Sequence, residues 1–376
     1  MKIQFISNYS HLYGANKVLL TIVEHFNSTG NEVSVLLPSR GGMCEELDKL
    51  KISYTVIPYF SSFLYIKKSL KYISLPFLWV LNIIVFPKLL SKIRSFKPDV
   101  IYSNTTAENL GIIAAKMLNI KHISHVHEFM SLDHRAYFVG DRAAKKKYID
   151  KSDGVIYVTN CVANYVNLNQ SLSPNKKVIY NGVNSPDMVF ENKILTEQLN
   201  FGVVGILDPG KGQHQAIEYF KDVIKVYPKA KLHIFGDKSG GYKDFIMKLV
   251  KTLALEDNVI FHGFVNNSLE IYSQIDILLM FSKSEGFGLV TVEAMLYGVP
   301  VVGFDNAGTA ELIDDKVTGY LFQDKMSFDK CISSVLVNSN YNLIRKNALN
   351  VAKDKFNVSL YGERIEKFVK EIYLSN

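Results

Sequence analysis

Three cysteines in 376 residues, Cys44, Cys161 and Cys331, lie far apart and form no C-x-x-C pair. That spacing makes them poor metal ligands and suits reduced thiols in a cytosolic protein. The nine histidines contain no H-E-x-x-H pattern, so no intrinsic metal site is expected. Long apolar runs are scarce as well. The opening stretch Met1 to Asn8 is too short in apolar residues for a signal peptide and reads as a buried first strand. No segment reaches the roughly 20 apolar residues that a membrane-spanning helix needs. The nearest, Leu75 to Leu90, is interrupted by Pro76, Asn82 and Pro87. Internal repeats and low-complexity tracts are also missing.

Acidic residues are missing from one long stretch. Between Phe60 and Pro98 lie Lys67, Lys68, Lys71, Lys88, Lys92, Arg94 and Lys97, with no Asp or Glu among them. Aromatic residues, Trp79 among them, fill the gaps. Basic residues beside an apolar, aromatic-rich helix are what anionic lipid surfaces attract, so Lys67, Lys68, Lys71, Trp79, Lys88, Lys92 and Arg94 form a candidate membrane or acceptor patch. A core helix with a solvated lysine face is the competing reading. Nucleic-acid binding is the weakest of the three, since no reader motif accompanies the charge.

What is present is a folded globular composition, 48% hydrophobic and 21% charged, with a formal net charge of +7. The length allows two domains. Strand-like and helix-like runs alternate, which predicts parallel sheets flanked by helices. In the first half the strands fall at 3–7, 33–37, 54–57, 100–102, 120–125, 155–158 and 178–180. A second series follows the polar segment 184–198, at 200–204, 231–235, 259–261, 277–280 and 299–302. Domains are expected at 1–185 and 186–358. A terminal amphipathic helix, 359–376, would bury Tyr361, Ile365, Phe368, Val369 and Ile372 against the first domain.

Four strand-end loops carry the candidate chemistry, as ligand sites do in open parallel sheets. The richest is Ser284-Glu285-Gly286-Phe287-Gly288-Leu289, with Glu293 one helical stretch further on. Glycines at a helix mouth let backbone N–H groups approach an anion, toward which the positive end of the helix dipole points. A carboxylate on either side suits the hydroxyls of a sugar nucleotide; a buried helix start with a capping carboxylate would look similar. The turn Gly205-Ile206-Leu207-Asp208-Pro209-Gly210-Lys211-Gly212 offers a lysine suited to a diphosphate leaving group, without P-loop spacing, or else simply a solvated lysine in a turn. His127, in His125-Val126-His127-Glu128, is placed to bond a sugar hydroxyl or to stabilise departing charge, or is simply structural. Tyr13-Gly14-Ala15-Asn16 permits close backbone approach or forms a plain turn.

The order of these elements resembles the retaining glycosyltransferases of the GT4 family. The matching parts are Gly14-Ala15, His127-Glu128, Asn181-Gly182-Val183, Gly205…Lys211-Gly212, Glu285-x7-Glu293, Gly298-Val299-Pro300, Gly308-Thr309-Ala310-Glu311 and Thr318-Gly319. The resemblance implies a GT-B fold, two Rossmann-like parallel-sheet domains facing a cleft, with the C-terminal helix crossing back to the first. It implies metal-independent, retaining transfer from a nucleoside-diphosphate sugar, UDP- or GDP-linked, to a hydroxyl of a glycan or lipid-linked glycan in bacterial surface polysaccharide synthesis. No cofactor, metal or nucleic acid is expected. The expected location is the cytoplasm, with peripheral attachment to the inner membrane face left open, as is the oligomeric state.

By the same resemblance, Glu285 contacts donor-sugar hydroxyls and Glu293 the ribose. Backbone N–H groups of Gly286, Phe287, Gly288 and Leu289 hold the sugar or diphosphate. Lys211 stabilises the leaving diphosphate, with Gly14, Ala15 and Gly205 close to it, and His127 stands near the reaction centre. Gly236, Phe264 and Val265 belong to loops flanking ribose and base. Ile206 stands where the family often has an arginine. A sugar-nucleotide epimerase of the same fold and a non-catalytic sugar-nucleotide-binding subunit are the alternatives.

Overall fold

A computed structural model of the chain describes residues 1–61, 71–107, 109–129, 142–186, 191–238 and 240–375, without the side chains of 71–76 and 338. It divides into two compact units, one made of Met1–Gly182 with the stretch from Val358 onward, the other of Val183–Asn357.

The first unit holds a seven-stranded sheet ordered β3-β2-β1-β4-β5-β6-β7. The strands are β1 (Lys2–Ser7), β2 (Glu32–Leu37), β3 (Ser53–Val56), β4 (Val100–Asn104), β5 (Lys121–Val126), β6 (Gly154–Tyr157) and β7 (Lys176–Val178). All pairs are parallel. Helices α1 (Gly14–Ser28), α2 (Gly42–Lys49), α3 (Lys71–Phe96), α4 (Leu110–Leu118), α5 (Arg142–Ile149) and α6 (Asn160–Val166) run between them. Parallel strands covered on both faces read as nearly continuous apolar runs, and β1, β2 and β5 are each buried over five consecutive residues. The C-terminal half of α3 does pack as a core helix. Leu89, Leu90 and Ile93 join Ile6, Leu36, Ile57 and Ile101 in one apolar cluster.

The second unit holds a six-stranded parallel sheet ordered β10-β9-β8-β11-β12-β13. Its strands are β8 (Asn200–Val204), β9 (Lys231–Phe235), β10 (Val259–Gly263), β11 (Ile277–Met280), β12 (Val301–Phe304) and β13 (Tyr320–Phe322). The helices are α7 (Gln213–Val226), α8 (Gly241–Thr252), α9 (Ser268–Tyr272), α10 (Leu289–Leu296), α11 (Ala307–Leu312), α12 (Lys325–Val335) and α13 (Asn338–Lys355). Its core joins Phe201, Ile234, Leu279 and Val302 of the sheet to Phe220 and Phe328 of the helices.

The last helix, α14 (Val358–Leu374), belongs to the first unit. All five of its expected apolar positions are buried. His25 of α1 also meets Glu366 of α14 at 3.0 Å.

Some edges differ from expectation. The strand at 178–180 lies instead at Lys176–Val178, and that at 299–302 lies at Val301–Phe304. β13 is an addition; only three residues long, it carries no alternation that a sequence pattern can register.

Candidate active site

In the second unit the site begins at the C-terminal ends of β8 and β9. Gly205 (φ +144°) and Gly236 (φ +142°) face each other there. A Cβ on Gly236 would stand 1.9 Å from the Gly205 carbonyl oxygen, so two adjacent strand ends approach more closely than any side chain permits. After β8 the chain makes a short 3-10 turn, Pro209–Lys211, whose free Gly210 N–H is capped by Asp208 Oδ1 at 2.9 Å. This turn presents Lys211. Its Nζ lies 2.7 and 3.1 Å from the two carboxylate oxygens of Glu285.

Glu285 belongs to the loop between β11 and α10. Gly288, left-handed at φ +94°, ends that loop and caps α10. Gly308 opposite donates its N–H to the Glu285 carbonyl at 2.8 Å, and a Cβ on it would crowd the carbonyls of Glu285, Gly286 and Phe287. The loop is thus clamped from below, while its N–H groups lie at the positive end of α10. Glu293 sits one turn along α10 and accepts a hydrogen bond from Tyr272 OH at 3.0 Å. Burial, and then the nearby Glu293, push the Tyr272 phenol well above its usual range, so it remains a donor.

Each expected residue of this unit has a definite place. Lys211 and Glu285 are brought into direct contact. Phe264, 70% exposed, and the half-buried Val265 follow β10 beside the Gly236 loop. Ile206 is 38% exposed and supplies no charge, but Lys238 reaches the same turn and pairs with Asp208 at 2.9 Å. Among the described residues, no group of three His, Cys, Asp or Glu is arranged to hold a metal ion.

In the first unit, Gly14 is the first residue of α1 rather than part of a free loop. His127 follows β5 and meets Asn104, the last residue of β4: His127 Nε2 lies 2.8 Å from Asn104 Oδ1. Asn104 Nδ2 in turn donates to the Ala15 carbonyl at 3.1 Å. A carbonyl only accepts, so this bond fixes the amide's orientation. Oδ1 therefore receives the His127 Nε2–H, and the lone pair of the ring lies on Nδ1. Burial lowers His127 to about 3. The His125 ring stands 3.9 Å away, bonded through Nδ1 to Tyr102 OH at 2.8 Å. Glu128 accepts from the N–H and hydroxyl of Thr106 at 2.9 and 2.7 Å, an anchoring role.

Asn104 and Tyr272 escaped the sequence reading. Neither lies in a recognisable motif, and both act through partners distant in sequence. Of the basic patch, Trp79, Lys88, Lys92 and Arg94 are on the described part of α3. Lys67 and Lys68 lie outside the described residues, as does the side chain of Lys71.

Two parallel-sheet units with ligand-type loops at their strand ends define the GT-B class of glycosyltransferase folds. Residues 13–185 match the family described as "Glycosyltransferase Family 4" and residues 184–351 the family "Glycosyl transferases group 1", and the chain belongs to these GT4-type glycosyltransferases. An uncharacterised 41.2 kDa protein in the cps region of Klebsiella pneumoniae is 38% identical over 168 residues, 41% of this chain and 44% of that protein. The poly(ribitol-phosphate) alpha-N-acetylglucosaminyltransferase of Staphylococcus aureus is 31% identical over 220 residues, 56% of this chain and 43% of that protein. The chain thus spans less than half the length of these curated relatives. Anabaena Alr3699/HepE, solved with UDP-glucose, shares the fold at TM-score 0.78, with 22% identity over 99% of this chain and 100% of that one.

Proposed function

We propose that this protein transfers a sugar, with retention and without a metal ion, from a nucleoside-diphosphate sugar to a hydroxyl of a glycan or lipid-linked glycan. The observation that carries this is the Lys211–Glu285 pair in front of the glycine loop that opens α10. Without donor, cation and carboxylate neutralise one another in a half-buried place. A bound donor offers each a better partner: diphosphate oxygens for Lys211 and sugar hydroxyls for Glu285. Glu293, held by Tyr272, is assigned the ribose, and Phe264 with Val265 the base.

The sugar C1–O bond to the diphosphate breaks as C1 bonds the acceptor oxygen on the same face. The acceptor proton passes to the departing phosphate, so no enzyme nucleophile is needed. His127 accepts a hydrogen bond from a donor hydroxyl. The relatives' setting in a cps region and in poly(ribitol-phosphate) glycosylation favours a surface-glycan acceptor.

A thermal-shift screen with UDP-, GDP- and ADP-sugars should single out one base, because a ligand that binds only the native state raises its stability by mass action. Lys211→Ala and Glu285→Ala should each lower turnover by about 100-fold or more, the scale of lost transition-state electrostatics, in a folded protein. Near-parental turnover in both would remove the assignment. Release of free nucleotide and sugar without any acceptor would point instead to the epimerase.

A further inference from the structure

We propose that the outward side of α3 is a docking surface for membranes that contain anionic lipid. An outer helix of a water-soluble domain is apolar toward its core and polar toward solvent. The first half of α3 breaks that rule. Phe77 is 63% exposed, Trp79 61%, Val80 54%, Ile83 55% and Ile84 69%. Phe77, Val80 and Ile84 follow one another at helical spacing on a single stripe, with Trp79 and Ile83 one turn apart on its flank. The opposite side is already occupied: Asn82 is buried and bonds both the N–H and the carbonyl of Phe60, while Leu89, Leu90 and Ile93 enter the core.

The stripe changes character after Pro87. Lys88 lies one turn beyond Ile84, Lys92 one turn beyond Lys88, and Arg94 on the same exposed side. An apolar half is therefore followed by a basic half along one face. That sequence of groups matches the layers of a bilayer surface, in which acyl chains give way to phosphate headgroups. No acidic residue between Phe60 and Pro98 opposes the match. Among the described residues, no helix is long and apolar enough to cross a membrane. The helix therefore lies in the interface, with its aromatic half sunk below the headgroups and its lysines level with them. A partner protein would need an apolar and an acidic region in the same order; a lipid surface supplies both without a dedicated site.

Trp79 is the only tryptophan in the chain, which makes the test direct. The full chain is mixed with phosphatidylcholine vesicles, or with vesicles of phosphatidylcholine and phosphatidylglycerol. With the anionic vesicles, Trp79 emission should shift to the blue and be quenched by brominated acyl chains. Rising salt should weaken binding. Lys88→Ala and Lys92→Ala should each weaken it about fivefold, the equivalent of ~1 kcal/mol per basic residue at the surface. Phe77→Ser with Ile84→Ser should abolish the quenching; if that pair lowers the melting temperature, the lysine variants decide alone. Unchanged Trp79 emission, or equal affinity for neutral and anionic vesicles, would overturn the proposal. So would a lipid-free blue shift that grows with protein concentration, which would mean that a second copy covers this face. No donor sugar enters the assay, so its outcome is separate from that of the transfer reaction.

Discussion

Asn104 decides what His127 can do. Anchored on the Ala15 carbonyl, its amide offers only an oxygen to the ring, and the His127 proton is thereby held on Nε2. Burial lowers the imidazole to about 3, so it is neutral at ordinary working pH. A neutral ring lends no positive charge to a departing diphosphate. Of the two roles open to His127 from the sequence, acceptance of a hydroxyl's hydrogen bond is the one this chemistry supports. Replacing Asn104 by Leu frees the tautomer and should lower turnover about tenfold, the scale of one lost buried hydrogen bond. Nitrogen NMR of the ring would then report mixed tautomers, which a merely structural role for Asn104 would not produce. Asn104→Asp places a carboxylate against Nε2–H and favours the imidazolium, which raises the His127 pKa. Activity in that variant should fall toward acid pH, through the raised value, where the parent stays flat. Matching pH profiles would refute the assignment. Nothing local marks Asn104 in the sequence: it reaches His127 only because β4 and β5 lie in parallel register, with Asn104 opposite His125.

At the scale of elements, the strands that proved legible are those buried on both faces. The expected bounds at 200–204, 231–235 and 277–280 coincide with β8, β9 and β11, where apolar runs end at a turn residue or a charge. Edge strands were harder. β7 carries Lys176 and Lys177 on a half-covered edge, and β13 is too short to show a period. The glycine loops were visible because a left-handed backbone demands glycine, as at Gly288. Their supports were not. Tyr272 comes from α9, a five-residue helix, and holds Glu293 from the side. If Glu293 binds ribose, its orientation depends on that phenol. Tyr272→Phe removes one charge-assisted hydrogen bond and should weaken nucleotide binding by roughly tenfold, on the scale of such bonds. Titration calorimetry with the nucleotide picked out by the thermal screen measures this. Equal affinity in parent and variant would show that Glu293 is oriented without Tyr272.

For the whole molecule, the consequential feature is that the first unit is built from both ends of the chain. Residues up to Gly182 supply the sheet, and α14 returns to it after the entire second unit. Its contribution is large for one helix. Tyr361, Ile365, Phe368, Val369 and Ile372 are all buried, and Gly154 of β6 leaves the room that Phe368 and Ile372 fill. At about 1.5–3 kcal/mol for each large apolar side chain, the five together are worth roughly 10 kcal/mol. That is comparable with the whole stability of a typical domain, about 5–15 kcal/mol. The core cluster of the second unit is made of residues between Leu199 and Ile344, none of them from this helix. A chain ended at Asn357 should therefore fail selectively. Hydrogen–deuterium exchange should show peptides from β1, β4 and β5 losing protection by orders of magnitude, while those from β8, β9 and β11 keep theirs. Loss in both units would mean that the second cannot stand by itself. Full protection in both would mean that α14 is dispensable to the first. The amphipathic period of residues 359–375 makes the helix legible from sequence. Its weight is not, because that depends on the surface of α1, β5 and β6 on which it lies.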